Sequence, residues 1–401
     1  MKFYKNLCEA VIRNLKDVFL ENRYADKVIE NSFRNNKKLG ARDRRFIAEN
    51  TYDMIRWWRL ISAASRIDEI KDEKDIWILF RTWCILNEWN LPDWPQMKGE
   101  PTDPIMERYR KLKKIRKVNG SVPDWMDELC SRELGDRVWE RELAALNEEA
   151  RVVLRANTLK ITRDELIERF KAIEIRCEAV TGIAEALVMG QRKNVFRYPE
   201  FKLGYFEVQD LSSQHVGHFL EVKPGMRVID ACAGAGGKTL QLAALMQNKG
   251  KIIALDPEQW KLDELKKRAR RAGAGNIESK LLDSAKVVKR LEHAADRLLL
   301  DVPCSGLGVL KRNPDAKWKL STDFIFKVRS QQEKILSDYP VMLKPGGTMV
   351  YSTCSILPSE NHLQIRSFLE KHTGKFELLK EETLMPSAGF DGFYMAAIKK
   401  L

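Results

Sequence analysis

The chain of 401 residues has no run of 18 apolar residues, so no membrane span is expected. Its first stretch, MKFYKNLCEAVIRNL, alternates polar and apolar residues at helical spacing and lacks the unbroken apolar core of a signal peptide. The C-x-x-C pairs that mark zinc sites and dithiols are missing. Seven cysteines, at 8, 84, 130, 177, 232, 304 and 354, are scattered and odd in number, which argues against a disulfide framework and a bound metal. They suit a reducing compartment, and the cytoplasm is expected. Cys8, Cys84, Cys130 and Cys177 read as small buried hydrophobes. There is no internal repeat and no low-complexity segment. Acidic residues fall short of basic ones, 57 against 70, and the net charge of +13 favours a polyanionic partner, nucleic acid first.

The basic residues are placed unevenly. ERYRKLKKIRK, residues 107–117, holds seven of them in eleven with a single acid, and KKRARR spans 266–271 among acidic neighbours. The bland alternative for either is a solvated helix face.

Apolar spacing then divides the chain. In residues 1–130, LCEAVIRNLKDVFL, DRRFIAENTYDMIRWWRLI and DIWILFRTWCILNEW repeat apolar positions at three and four residues, giving a helical bundle with an aromatic core. RNNKKLGARDRR, residues 34–45, reads as a basic connection, and VPDWMDELCSREL restarts helix after Gly120 and Pro123. Residues 131–222 continue with linker helices into a small α+β module: VVLRANTL, RCEAV and ALVMG as strands, and TRDELIERFKAIEI as a helix capped at Thr162.

Residues 223–401 alternate short apolar strands with helices: MRVIDAC, KIIALDP, SKLLDS, RLLLDVP and GGTMVYSTCS, with a long helix ending near 343 before the last. This predicts a mostly parallel sheet covered on both faces, with ligands bound at the carboxyl ends of its strands. KFELLK and GFYMAAIKK could close it as an antiparallel edge pair.

The strand ends carry the chemistry. After the first comes DACAGAGGKT, where glycines at 234, 236 and 237 let backbone approach a ligand ahead of a helix N-terminus. It is neither a P-loop, whose first glycine would fall on Cys232, nor G-x-G-x-x-G, which would need glycine at Thr239. A looser loop for a nucleoside-bearing cofactor remains. Asp256 ends the second strand and could accept from ribose hydroxyls, Asp283 the third, and Asp301 the fourth. Alone, each strand-end acid is more often a helix cap than a ligand. Two further strand ends carry thiols: Cys304 in DVPCSGLGVL and Cys354 in VYSTCSILPSEN.

The set DACAGAGGKT, ALDP, LLDS, DVPCSGLGVL and VYSTCSILPSEN, together with VLRANTLK (152–159) and VQDLSSQ (208–214), resembles the NOP2/Sun family of S-adenosylmethionine-dependent RNA cytosine-5 methyltransferases over some 250 residues. The helical bundle is similar to the NusB-like domain of the family's bacterial Sun/RsmB type, which acts on 16S rRNA. The resemblance implies an α/β Rossmann-like methyltransferase preceded by an α+β module and an all-α NusB-like domain, both RNA-binding. It implies S-adenosylmethionine held by Cys232, Ala233, Gly234, Ala235, Gly236, Gly237 and Lys238 with Asp256, Asp283 and Asp301. In place of the family's C-A-A-P-G-G-K the chain has CAGAGGK, and losing the proline is expected to loosen the loop while its amides stay available.

A thiol suits this chemistry. C5 of cytosine is a poor nucleophile until a thiolate adds at C6, and only a thiol combines the attack with the later departure. By the resemblance Cys354 is the nucleophile and Cys304 assists product release. Asp301 sits at the polar edge of the base, and Lys238 reaches towards the nucleotide or nearby acids. Lys311, Arg312 and Lys317 of KRNPDAKW suit phosphate contact, whereas Trp318 suits packing. A monomer acting on RNA, rRNA before tRNA, is expected. A methyltransferase acting on protein or small molecules would leave the two thiols and the charge unexplained. A non-catalytic rRNA-binding assembly factor would leave Cys354 unexplained.

Overall fold

The computed structural model describes residues 3–401; Met1 and Lys2, at the head of the expected helical domain, lie outside the described residues. Two compact units emerge: Met1–Glu148 with Leu310–Thr322, and Glu149–Val309 with Asp323–Leu401. The boundary expected at 130 falls inside a helix, Asp124–Leu134, and the next helix, Asp136–Leu146, still belongs to the first unit. Helix Asp136–Leu146 buries Trp139, whose indole N–H donates to Asp127 Oδ1 at 2.7 Å, which ties it to its neighbour.

The helical unit forms where the apolar periodicity places it. Lys5–Phe19, Ala41–Arg56 and Glu73–Leu86 turn Val11, Ile12, Leu15, Ile47, Met54, Ile55, Ile76, Leu79 and Phe80 into one core. Aromatic residues crowd it as expected, Phe19 stacking on Trp58 at 3.7 Å. The expected basic connection shrinks to residues 36–40, because Arg34 closes one helix and Arg42 and Arg44 lie in the next. Among the described residues no helix is long and apolar enough to cross a membrane.

The segment Leu310–Thr322 overturns one expectation. Lys311 and Lys317 are buried in the helical unit and do not face outward towards phosphate. Lys317 Nζ donates to Asn147 Oδ1 at 2.6 Å and to the carbonyls of Arg56 and Ser121 at 3.2 Å and Gly120 at 3.5 Å. Burial, with Arg56 adding to it, pushes its ammonium well down from the usual lysine range. Asp315 Oδ2 accepts the N–H of Ala25, a first-turn donor of the helix Ala25–Asn35 with no partner within that helix. Trp318 packs against the aromatic core, as expected, and donates to the Ile55 carbonyl at 2.8 Å.

The second unit holds two sheets. Strands β1 (Val153–Ala156), β2 (Cys177–Ala179), β3 (Ala186–Met189) and β4 (Phe206–Val208) form an antiparallel sheet in the order β2-β3-β1-β4. The helix Arg163–Ala172 packs with it, capped by Thr162 and Glu165 as its sequence predicts. β4 is the one strand of this sheet not anticipated. Strands β5 (Arg227–Asp230), β6 (Lys251–Asp256), β7 (Ile277–Leu281), β8 (Ala295–Asp301), β9 (Leu343–Thr353), β10 (Phe376–Leu384) and β11 (Phe393–Lys400) form a seven-stranded sheet, order β10-β11-β9-β8-β5-β6-β7. β5 to β9 run parallel, and β11 and β10 close the edge antiparallel. This is the Rossmann-like methyltransferase sheet that was expected. The long helix, Thr322–Asp338, stops short of 343 because Pro340 enforces a tighter turn over Tyr339–Met342.

Replacing Lys317 with alanine strips the donor from four buried oxygens. Urea unfolding of Lys317→Ala should show a loss of about 3 kcal/mol. Tryptophan fluorescence follows this transition, since Trp260 alone among the 10 tryptophans lies in the other unit.

Candidate active site

Parallel register brings the two thiols together. Asp301 at the end of β8 is paired with Ser352 on β9, and the chain reaches Cys304 and Cys354 a few residues beyond. Their Sγ atoms lie 3.0 Å apart as free thiols, and the Cys354 N–H points at Cys304 Sγ at 3.3 Å. The hydrogen bond to Cys354 and burial push the Cys304 thiol well up from the usual cysteine range. Gly308 seals the arrangement: its N–H donates to the Cys354 carbonyl at 2.9 Å, and a Cβ there would fall 2.2 Å from the carbonyl oxygen of Gly392.

A buried carboxylate bolts the two thiol loops to each other. Glu360 is fully enclosed, and its oxygens accept from Ser305 N–H at 2.8 Å, Ser355 Oγ at 2.6 Å, Gln332 Nε2 at 3.0 Å and the Ser305 hydroxyl. Ser305 follows Cys304 and Ser355 follows Cys354, so one side chain fixes the spacing of both. Asn361 adds a second tie, accepting from Thr353 Oγ1 at 2.6 Å and donating to the Ser355 carbonyl at 3.0 Å. None of Glu360, Gln332 or Asn361 stood out in sequence. The one signal was that PSEN follows TCS so closely.

Beside the thiols, Lys238 Nζ meets Asp301 Oδ2 at 2.7 Å and lies 5.1 Å from the centre of the Phe393 ring. Ser352 Oγ donates to the other Asp301 oxygen at 2.8 Å. Lys238 thus reaches a nearby acid, one of the two expected alternatives.

The glycine loop turns where its sequence allows. Gly234 and Gly236 have φ of +54° and +88°, a region open to glycine at little cost, and a Cβ on Gly236 would strike Leu265 at 2.6 Å. At Gly234 and Gly237 an added Cβ would meet only open space, so the loop offers bare backbone beside the helix Gly237–Leu245. Asp256 Oδ2 accepts from Gly234 N–H and Oδ1 from Glu258 N–H, each at 2.9 Å, leaving each oxygen a lone pair for a hydroxyl. Cys232 packs its thiol against the sheet core, and Ala233 is buried. Asp283 lies two residues past the end of β7 and is exposed. Bare backbone, a helix N-terminus and a strand-end carboxylate fit an aminoacyl-nucleoside cofactor.

Beneath the loop, Asp230 is buried and accepts from Thr239 Oγ1 at 2.7 Å. Burial raises its carboxyl to about 7, with the Asp301 charge adding to it and the Thr239 hydroxyl opposing.

Both basic runs proved to be largely engaged within the protein. In 107–117, Lys111 pairs with Glu107, Arg108 with Glu100, Arg116 with Asp127 and Asp136, and Lys117 with Asp124, leaving Arg110, Lys113 and Lys114 exposed. The acids come from neighbouring segments, which a window on the sequence does not see. In 266–271, Arg268 and Arg271 turn inward to Glu207 at 2.9 and 2.5 Å.

Comparison with known proteins agrees with this geometry. A family model described as "16S rRNA methyltransferase RsmB/F" matches residues 218–399, and another, "Methyltr_RsmF/B-like, ferredoxin-like domain", matches 122–196. A Synechocystis protein named "Probable ribosomal RNA small subunit methyltransferase B" is 35% identical over 300 residues, 70% of this chain and 67% of its own. The crystal structure of PH0851 superposes over 100% of both chains with a TM-score of 0.85 at 24% identity. That of NSun6 from Pyrococcus horikoshii with SFG gives 0.64 at 21% identity, over 69% of this chain and 98% of that one.

Two outcomes are expected. An unfolded aspartate titrates at about 3.9, so between there and 7 the native state retains the Asp230 proton that the unfolded chain has lost. Stability should therefore fall as pH rises through that window, and Asp230→Asn should flatten the slope in urea titrations taken from pH 4 to 8. Glu360→Gln offers a single acceptor oxygen where four donors converge. Denaturant melts should show a loss of about 3 kcal/mol.

Proposed function

This chain belongs to the RsmB/F family of 16S rRNA methyltransferases, the Sun type within NOP2/Sun, and from that premise we propose that it methylates C5 of a cytidine in 16S rRNA through a covalent bond between Cys354 and C6. The observation that carries the reading is the pair of thiols 3.0 Å apart beside the Lys238–Asp301 ion pair. The methyl donor is S-adenosylmethionine, which supplies an electrophilic methyl group on a sulfonium sulfur. The backbone of residues 232–238 would hold it, with Asp256 on the ribose hydroxyls and Asp283 at the adenine.

Cys354 attacks as the thiolate and forms the bond to C6, moving the ring's electron pair towards C5, which can then accept the methyl group. The proton on C5 next passes to solvent water, and the electron pair of that C–H bond rebuilds the C5–C6 double bond as the C6–S bond breaks and Cys354 leaves as the thiolate. Cys304, whose sulfur lies 3.0 Å from that of Cys354, assists this release. Asp301, held by Lys238 and Ser352, faces the polar edge of the base and fixes its orientation. Every group named comes from one chain, so a monomer suffices. The base must leave its stack to reach the thiols, which is least costly in an unpaired region. The helical unit, with Arg110, Lys113 and Lys114 exposed, is the proposed grip on RNA, as in a NusB-like domain.

The two cysteines should fail differently. Incubated with 16S rRNA and isotopically labelled S-adenosylmethionine, Cys354→Ala should give neither 5-methylcytidine nor adduct. Cys304→Ala should stall after bond formation and leave an enzyme–RNA adduct that survives denaturing electrophoresis. Reversed phenotypes would make Cys304 the nucleophile. Label recovered at a position other than C5, or in protein, would overturn the reaction itself.

A further inference from the structure

The glycine loop is short of internal restraint: two of its residues are in the left-handed region and no proline stiffens it. Its carbonyls, however, are gripped from outside. Arg155 on β1 donates through Nη1 to the Gly237 carbonyl at 2.9 Å and also to Gln209 Oε1. Arg268, on the helix Gln259–Ala272 that follows β6, donates through Nη1 to the Ala235 carbonyl at 2.8 Å. Its other terminal nitrogen lies 2.9 Å from Glu207 Oε2, and Glu207 belongs to β4. Arg155 is fully buried, and desolvation lowers its guanidinium to about 10, against the charges of Glu207 and Glu185. Holding such a group in place takes the whole set of acceptors around it, so the loop is gripped by a network rooted in the small sheet.

We propose that the small four-stranded sheet sets the affinity for S-adenosylmethionine, by clamping residues 235 and 237 through Arg268 and Arg155. The inference rests on the assignment of this loop to the cofactor. A loop that must be ordered at the moment of binding loses affinity by the free energy of ordering, and one already held does not. A cation on a peptide carbonyl also polarises that peptide, so that its N–H becomes a better donor to an anionic group on the ligand. The Gly237 carbonyl shares its peptide with the N–H of Lys238, in the first turn of the helix that faces the ligand. Arg268 is a positioning residue here: it touches the loop and not the cofactor.

Arg268→Gln tests this, because Glu207 keeps its pairing with Arg271 at 2.5 Å and no buried carboxylate is orphaned. In the full-length variant, hydrogen exchange at residues 232–238 should accelerate while the rest of the seven-stranded sheet is unchanged. Calorimetric affinity for S-adenosylmethionine should fall about tenfold. The KM for S-adenosylmethionine should rise in step, with kcat at saturation within about twofold of the parent. Unchanged affinity, or weakened affinity with unchanged exchange at 232–238, overturns the proposal. If Arg268→Gln does not fold, Arg268→Lys, which can keep Glu207 but not both partners, is read by the same criteria. Failure of the parent protein itself to bind S-adenosylmethionine would instead strike the assignment of the loop.

Discussion

A single enclosed carboxylate sets the spacing of the two thiol loops. Glu360 collects four donors, two of them hydroxyls of the residues that follow Cys304 and Cys354, and it does so fully enclosed. A carboxyl group with that many donors and no solvent has one favourable arrangement, so the loops after β8 and β9 cannot drift independently. Without it, two loops from separate strands would have to hold two sulfurs at contact distance by packing alone. The parallel register Asp301–Ser352 brings the strand ends side by side, and Glu360 removes the freedom that is left.

The same logic recurs around the glycine loop with the signs exchanged. There the enclosed groups are guanidiniums, and the acceptors are loop carbonyls and Glu207. The thiol loops and the glycine loop are therefore each held by hydrogen bonds from buried side chains, most of them from segments distant in sequence. This division lets the loops carry residues chosen for reactivity and close approach, such as cysteine and glycine, which contribute little stiffness themselves.

What was legible in sequence follows from range. Strand–helix alternation, the helical bundle, the capped helix at Thr162 and the positions of Cys304, Cys354 and the strand-end acids all depend on neighbours within one turn or one strand. Glu360, Arg155 and Arg268 were not legible, because apart from Ser355, five residues from Glu360, the partners that define them lie 28 to 82 residues away. The basic runs misled for that reason. KKRARR looks like an open cationic face until Glu207 is brought against it, and Lys317 looks like a phosphate contact until four backbone and amide oxygens enclose it. Charge read along a chain counts residues; charge in the fold counts what remains after pairing.

The return of Leu310–Thr322 to the helical unit bears on the order in which the protein can be made. That unit is encoded first, yet the lysine and tryptophan that complete it arrive only after β8 has been synthesised. During translation the amino-terminal helices can collapse early, but their final closure must wait until residue 322 has cleared the ribosome. A fragment ending at Glu148 would be left with a cavity and unsatisfied carbonyls where Lys317 belongs. A nascent chain stalled before residue 317 would present the helical unit without the lysine that closes it on Arg56, Gly120, Ser121 and Asn147.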